Sequence, residues 1–132
     1  MALHDGDVER TRATGIAGLS IVADSIAAMK NCRIRIVRDE TGLAVDYKIE
    51  EGEYVPFGNN FEETDNIAVS LTEKFMEYLR QHRTYRDAVP TQSLLTITSN
   101  VVYGRNTGAT PDGREKGVPF APGDNPMNAR DV

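Results

Sequence analysis

Cysteine is nearly missing from this 132-residue chain: Cys32 is the only one. That excludes an internal disulfide and a metal site built on cysteine thiolates. Long apolar runs are missing too, and none approaches the roughly 20 residues that a bilayer-spanning helix requires. The start, Met1-Ala2-Leu3-His4-Asp5, has neither the basic nor the apolar part of a signal peptide, so a cytoplasmic protein is expected. Positive charge is short: 15 Lys and Arg stand against 20 Asp and Glu. A net charge of -5 argues against a general nucleic-acid binder, because neutralising a phosphate backbone takes clustered cations. With no internal repeat and no linker, residues 1–132 read as a single segment, 39% apolar and 27% charged, ordinary for a soluble globular domain.

From about Asp5 to Asn31 the spacing predicts a helix, with Ile16, Leu19, Val22, Ala23, Ile26 and Met29 forming one apolar stripe. Gly15 and Gly18 interrupt it, each costing about 1 kcal/mol relative to alanine. They mark either a break near Thr14 or a place where another backbone comes close. Asp24 and Ser25 fall on the polar side, where solvation is expected. Cys32 follows the end of this helix and reads as a small half-buried residue rather than a nucleophile.

Arg33–Val37 and Leu43–Ile49 alternate, and Asp39-Glu40-Thr41-Gly42 supplies turn residues between them, so a β-hairpin is expected. Its Arg33, Arg35 and Arg38 form a solvated basic face that meets Asp46 and Glu50. Glu50 to Glu63 reads as a flexible acidic loop rather than a metal site, since a metal needs ligands held in fixed geometry. Thr64 or Asp65 caps a second helix, and Ile67, Leu71, Phe75, Tyr78 and Leu79 carry its core-facing stripe to about Arg83. His82, near its end, has no catalytic partner placed by the sequence.

Pro90 to Gly104 is a β-branched, apolar run that reads as a buried central strand. Leu95, Ile97 and Ser99 alternate to one face, and Leu94, Thr96 and Thr98 to the other. Neither face is charged. Such a strand usually lies in a sheet covered on both sides, and a short chain has difficulty supplying both covers, so this chain is expected to be part of something larger. Residues 105–132 form an irregular tail rich in Gly and Pro, in which Pro111-Asp112-Gly113 is a tight turn and not a phosphate-binding loop. The residues alone thus imply an α/β order of helix, hairpin, helix, buried strand and tail, without a complete catalytic constellation.

Pro90-Thr91-Gln92-Ser93-Leu94-Leu95-Thr96-Ile97-Thr98-Ser99-Asn100-Val101-Val102-Tyr103-Gly104, followed by Thr107-Gly108-Ala109-Thr110-Pro111-Asp112-Gly113-Arg114, closely resembles the pyruvate formate-lyase (formate C-acetyltransferase) branch of the glycyl-radical enzymes. Gly15-Ile16-Ala17-Gly18-Leu19-Ser20, Ala23-Asp24-Ser25, Arg38-Asp39-Glu40, Phe57-Gly58-Asn59-Asn60, Thr84-Tyr85-Arg86-Asp87-Ala88 and Asn125-Pro126-Met127 agree. The resemblance implies a piece of an α/β barrel of about ten strands wrapped by helices. It implies glycyl and thiyl radical chemistry that moves an acetyl group from pyruvate to coenzyme A and releases formate, as in anaerobic glucose fermentation. The adjacent cysteines and the radical glycine of that chemistry would lie before Met1 and after Val132. No catalytic, cofactor-binding or metal-binding residue carries over to this segment.

Leu95 and Ile97 do carry over, as apolar residues lining the substrate pocket from a barrel strand. Implied partners are the remainder of the parent polypeptide, a second copy in a homodimer and a radical-SAM activating enzyme, with no nucleic acid and no membrane. The chain by itself is expected to be inactive. A different reading makes it a non-catalytic interaction module, or a split fragment that binds a partner fragment. A third, a small-ligand-binding protein, rests only on the acidic loop and the basic hairpin face. Pyruvate and a slightly larger 2-keto acid remain undistinguished, since one methylene in an apolar pocket is worth about 1–3 kcal/mol.

Overall fold

Gly18 sits at φ +79°, a backbone state that side chains rarely adopt, and it ends the helical reading of the first thirty residues. In the computed structural model, which describes residues 8–94 and 99–122, the segment before it is strand β1 (Thr11–Ile16). Helix α1 occupies only Leu19–Asn31. β1 lies parallel to β4 (Val89–Leu94), in register from Thr11 opposite Val89 to Ile16 opposite Leu94. The Thr14 hydroxyl adds a bond to the Thr91 carbonyl at 2.8 Å. A parallel pair needs a long crossover, and here α1, a hairpin and a second helix supply it. The partner strand is far away in sequence, so no local periodicity could announce it.

The hairpin forms as expected from β2 (Arg33–Arg38) and β3 (Ala44–Glu51). Its turn is built by one carboxylate. Asp39 Oδ1 accepts from the Thr41 N–H at 2.8 Å, the Thr41 hydroxyl at 2.6 Å and the Leu43 N–H at 3.1 Å, while Gly42 takes the left-handed position at φ +85°. The Thr41 hydroxyl leads the interactions that hold this carboxyl below its usual range. On the strands, Glu50 meets Arg35 at 2.7 Å and Arg33 at 3.8 Å.

Helix α2 (Glu62–Arg80) starts two residues earlier than the predicted cap. Glu62, Glu63 and Asp65 occupy its first turn and Arg80 its last, both favourable to the helix dipole. Thr64 is buried within that first turn and donates its hydroxyl to the Val55 carbonyl at 2.7 Å. Ile67 and Ala68 pack against Leu19, Ala23 and Ala27 of α1, where small side chains let the two helices approach closely. Farther along, Phe75 and Tyr78 remain exposed, so the apolar stripe of α2 outruns what covers it.

Two further expectations are corrected. The central strand does not run to Gly104: Asn100–Arg105 is a short helix, α3, and Val101, Val102 and Tyr103 are helical. Gly104 lies so close to Val118 and Pro119 that a Cβ there would collide with the Val118 carbonyl oxygen. Phe120 then bonds Asn100 twice, through its own N–H at 3.2 Å and through its carbonyl to the side-chain amide at 3.0 Å. Nor is β4 buried. Val89 and Leu94 are exposed and the residues between them half-buried. In the Gly- and Pro-rich stretch, the Pro111-Asp112-Gly113 turn is present, with the Gly113 N–H bonded to the Thr110 carbonyl at 3.0 Å.

Candidate functional site

β1 and β4 run in the same direction, so their carboxyl ends lie side by side. In α/β sheets that is where ligand sites are usually built. Leu95 and Ile97, the residues expected to line a pocket, follow directly on β4 but lie outside the described residues. β1 contributes Ile16 at this end, and Ala17 follows it. With Val22 of α1 and Leu71 and Phe75 of α2, they line an apolar groove of about 330 Å³. Gly18 closes its inner side, where a Cβ would come within 3.1 Å of the Phe120 ring. Between α2 and β4 lies a second, larger groove of about 760 Å³, lined by Met76, Gln92 and Leu94 and rimmed by Glu73, Glu77 and Arg80.

The side of α1 that the sequence assigned to solvent is among the most deeply buried parts of the chain. Asp24 is 1% exposed and Ser25 8%. Asp24 Oδ1 accepts the Phe57 N–H at 2.6 Å, tying α1 to the loop after β3. The Ser25 hydroxyl donates to Asp112 Oδ1 at 3.4 Å, and the Tyr54 hydroxyl to the Asp112 carbonyl at 3.1 Å. Burial pushes the Asp24 carboxyl up to about 6, and the nearby Asp112 charge adds to this against the Phe57 hydrogen bond. Tyr54 is pushed above its usual range by burial and by the same two carboxylates, so its phenol stays a proton donor. The group fastens three segments together: α1, the loop 52–61 and the turn 110–114. The acidic loop is therefore held in place, with the Gly58 N–H also reaching Asp65 at 3.3 Å.

Arg114 closes the other side of this assembly. It is 4% exposed, and its guanidinium donates to the carbonyls of Gly108, Glu115 and Val118 and to the Thr110 hydroxyl. Its central carbon lies 5.2 Å from the centre of the Phe120 ring, which is stacked 6.3 Å from Tyr103. Phe120 and Ala121 in turn pack on Ile21 of α1. An arginine that satisfies so many carbonyls in one loop is a positioning group, and its planar fork is what lysine could not replace. Sequence reading missed both Asp24 and Arg114 as buried residues. The available signal was that Asp24 and Ser25 share α1 with the small residues Ala23, Ala27 and Ala28, which leave room for another chain segment.

Cys32 is half-buried at the end of α1, where its N–H bonds the Ala28 carbonyl at 2.8 Å. His82 lies exposed beyond α2. Among the described residues, no group of three or more His, Cys, Asp or Glu is arranged to hold a metal ion, and no helix is long and apolar enough to cross a membrane.

A mixed α/β frame of this kind, with a parallel strand pair leading into Leu95–Thr98, meets its counterpart in sequence. Residues 1–104 match the model of the pyruvate formate lyase-like family, and the chain belongs to that family. Among its curated relatives are formate acetyltransferase 1 of Escherichia coli (strain K12), 61% identical over 131 residues, and the PFL-like enzyme TdcE of the same organism, 62% identical over 131 residues. Each alignment covers 99% of this chain but 17% of the relative. The chain thus spans about a sixth of the length of the curated relatives it matches.

Proposed function

We propose that this chain is a segment of a formate acetyltransferase, in which it supplies one wall of an active site completed by other parts of the polypeptide. The observation that carries this reading is the 61% identity to formate acetyltransferase 1 across 99% of the chain. The parent reaction transfers an acetyl group from pyruvate to coenzyme A with release of formate. A protein glycyl radical supplies the one-electron chemistry that breaks the carbon–carbon bond. The single Cys32, half-buried at a helix end, does not fit the adjacent-cysteine loop of that chemistry, and no residue here is assigned to coenzyme A.

The chain's own contribution is structural. Leu95 and Ile97 form an apolar wall that keeps water from a small 2-keto acid and confines it. β1 and β4 are adjacent strands of a barrel of about ten. The exposed Leu94, Val101, Val102 and Tyr103 support this reading, since apolar side chains left open here are those that further strands and helices would cover. The partners in this reading are the rest of the polypeptide, a second copy of it and a radical-generating activating enzyme, all in the cytoplasm.

A chimera tests it. Formate acetyltransferase 1 carrying these 132 residues in place of its own matching segment is expected to exchange formate with pyruvate after activation, whereas this chain alone shows neither exchange nor a glycyl-radical signal in electron paramagnetic resonance. A folded, radical-bearing chimera without exchange activity refutes the proposal, as does exchange by the isolated chain.

A further inference from the structure

At the opposite, amino-terminal end of the strand pair, three arginines share one groove. Residues two apart on a strand point to the same face. Pairing between β1 and β4 already begins at Arg10, whose carbonyl accepts the Val89 N–H at 2.7 Å, so Arg10 and Arg12 share a face. Arg86 joins them from the turn just ahead of β4, its guanidinium 5.1 Å from the centre of the Tyr85 ring. With Thr11, Tyr85 and Ala88 they line a concavity of about 470 Å³.

What sets these arginines apart is that three of them line one groove; like Arg38, Arg80 and Arg105, they enter no ion pair among the described residues. Arg33 and Arg35 meet Glu50, and Arg83 meets Asp87 at 3.1 Å. Among the described residues, neither Arg10, Arg12 nor Arg86 has a carboxylate within ion-pair distance. The turn that presents Arg86 is strained. Arg86 (φ 54°) and Asp87 (φ 54°) are consecutive non-glycine residues in the left-handed region, a conformation costing roughly 1–2 kcal/mol per residue. The Thr84 hydroxyl holds the turn by donating to the Ala88 carbonyl at 2.5 Å. Asp87, the carboxylate next to Arg86 in sequence, is engaged by Arg83, and Glu9, next to Arg10, forms no ion pair with the arginines of the groove. Strain held in place by neighbouring contacts is a common feature of binding sites.

Three like charges facing one concavity in a chain of net charge -5 repel one another and favour an anionic occupant. A single carboxylate would satisfy one guanidinium fork. Two linked phosphoryl groups offer enough acceptor oxygens for all three, and the planar guanidinium fork can pair two N–H donors with two oxygens of one tetrahedral phosphate. We propose that this groove binds the diphosphate group of a small phosphorylated molecule. The inference is independent of the acetyl-transfer reading, because its readout is binding and not activity.

Titration calorimetry of the full 132-residue chain with inorganic pyrophosphate at low ionic strength tests it. Saturable one-to-one binding is expected, weakened by added salt as charges become screened. Arg12→Gln and Arg86→Gln should each weaken it roughly tenfold, the scale of one charge-assisted hydrogen bond. Arg33→Gln, on the hairpin, should leave it unchanged. Amide chemical shifts of the unsubstituted chain provide a second measurement that does not depend on any variant folding, and they should move at residues 10–12 and 85–88. No saturable binding, equal weakening by Arg33→Gln, or shifts centred on the hairpin would overturn the proposal.

Discussion

Replacing Asp24 by asparagine removes a buried group that titrates while keeping the oxygen that accepts the Phe57 N–H. In the folded chain the Asp24 carboxyl is raised from its usual 3.8 to about 6, by burial first and by Asp112 as the lesser contribution. The folded state therefore holds this proton more tightly than the unfolded chain does. Its contribution to stability is full below about pH 4, is lost as pH rises towards about 6, and above that the buried charge persists as a cost. A shift of about two pH units corresponds to about 3 kcal/mol at about 1.36 kcal/mol per unit. The substituted amide never ionises and no longer repels Asp112. The stability of Asp24→Asn minus that of the unsubstituted chain should therefore grow by about 3 kcal/mol between about pH 4 and about pH 7. Urea unfolding followed by far-ultraviolet circular dichroism across this range measures it, and taking the difference cancels the titration of groups common to both chains, such as Asp39. A difference that stays flat, or that shrinks as pH rises, would refute the placement of Asp24 as an ionisable group in a closed site. The carboxyl resonance of Asp24 followed by nuclear magnetic resonance gives the same answer directly, with a midpoint near the ordinary carboxylate value as the adverse result.

Other outcomes follow from the loop behind α3. Gly104→Ala forces a Cβ against the Val118 carbonyl and Pro119, so a loss of about 1–3 kcal/mol is expected in thermal unfolding, whereas Gly108→Ala meets nothing within 4 Å and should change stability little. Arg114→Gln removes the guanidinium from several loop carbonyls at once and should cost about 2–3 kcal/mol. Hydrogen exchange should then accelerate across residues 106–121 while the α2 amides keep their protection. Equal acceleration in both regions would contradict a role confined to that loop.

Several of these features are local and therefore legible. The hairpin is written in alternation plus Asp39 and Gly42, because one carboxylate and one left-handed glycine suffice to close its turn. Helix α2 follows from Ile67, Leu71 and Phe75 at helical spacing, although Glu62 and Glu63, read as the end of the preceding loop, belong to its first turn. The turn at Pro111-Asp112-Gly113 needs only its own residues. Family membership was equally legible, since it rests on residue identity along the chain rather than on contacts.

The family, the hairpin, the two long helices in outline and the tight turns could all be read from the residues, because each depends on identity or on neighbours within a few positions. That Thr11–Ile16 is a strand could not, since its partner arrives after a crossover that spans most of the chain. The helical state of Val101–Tyr103 likewise emerges on folding, held by Phe120 and by the absence of a side chain at Gly104. The same distinction governs charge. Asp24 and Arg114 look like surface residues until the loops at 54–57 and 108–120 fold over them, and Arg10, Arg12 and Arg86 share no pattern until a parallel pairing sets them around one groove. Burial and convergence are properties of contacts between distant segments, and periodicity along one segment does not encode them.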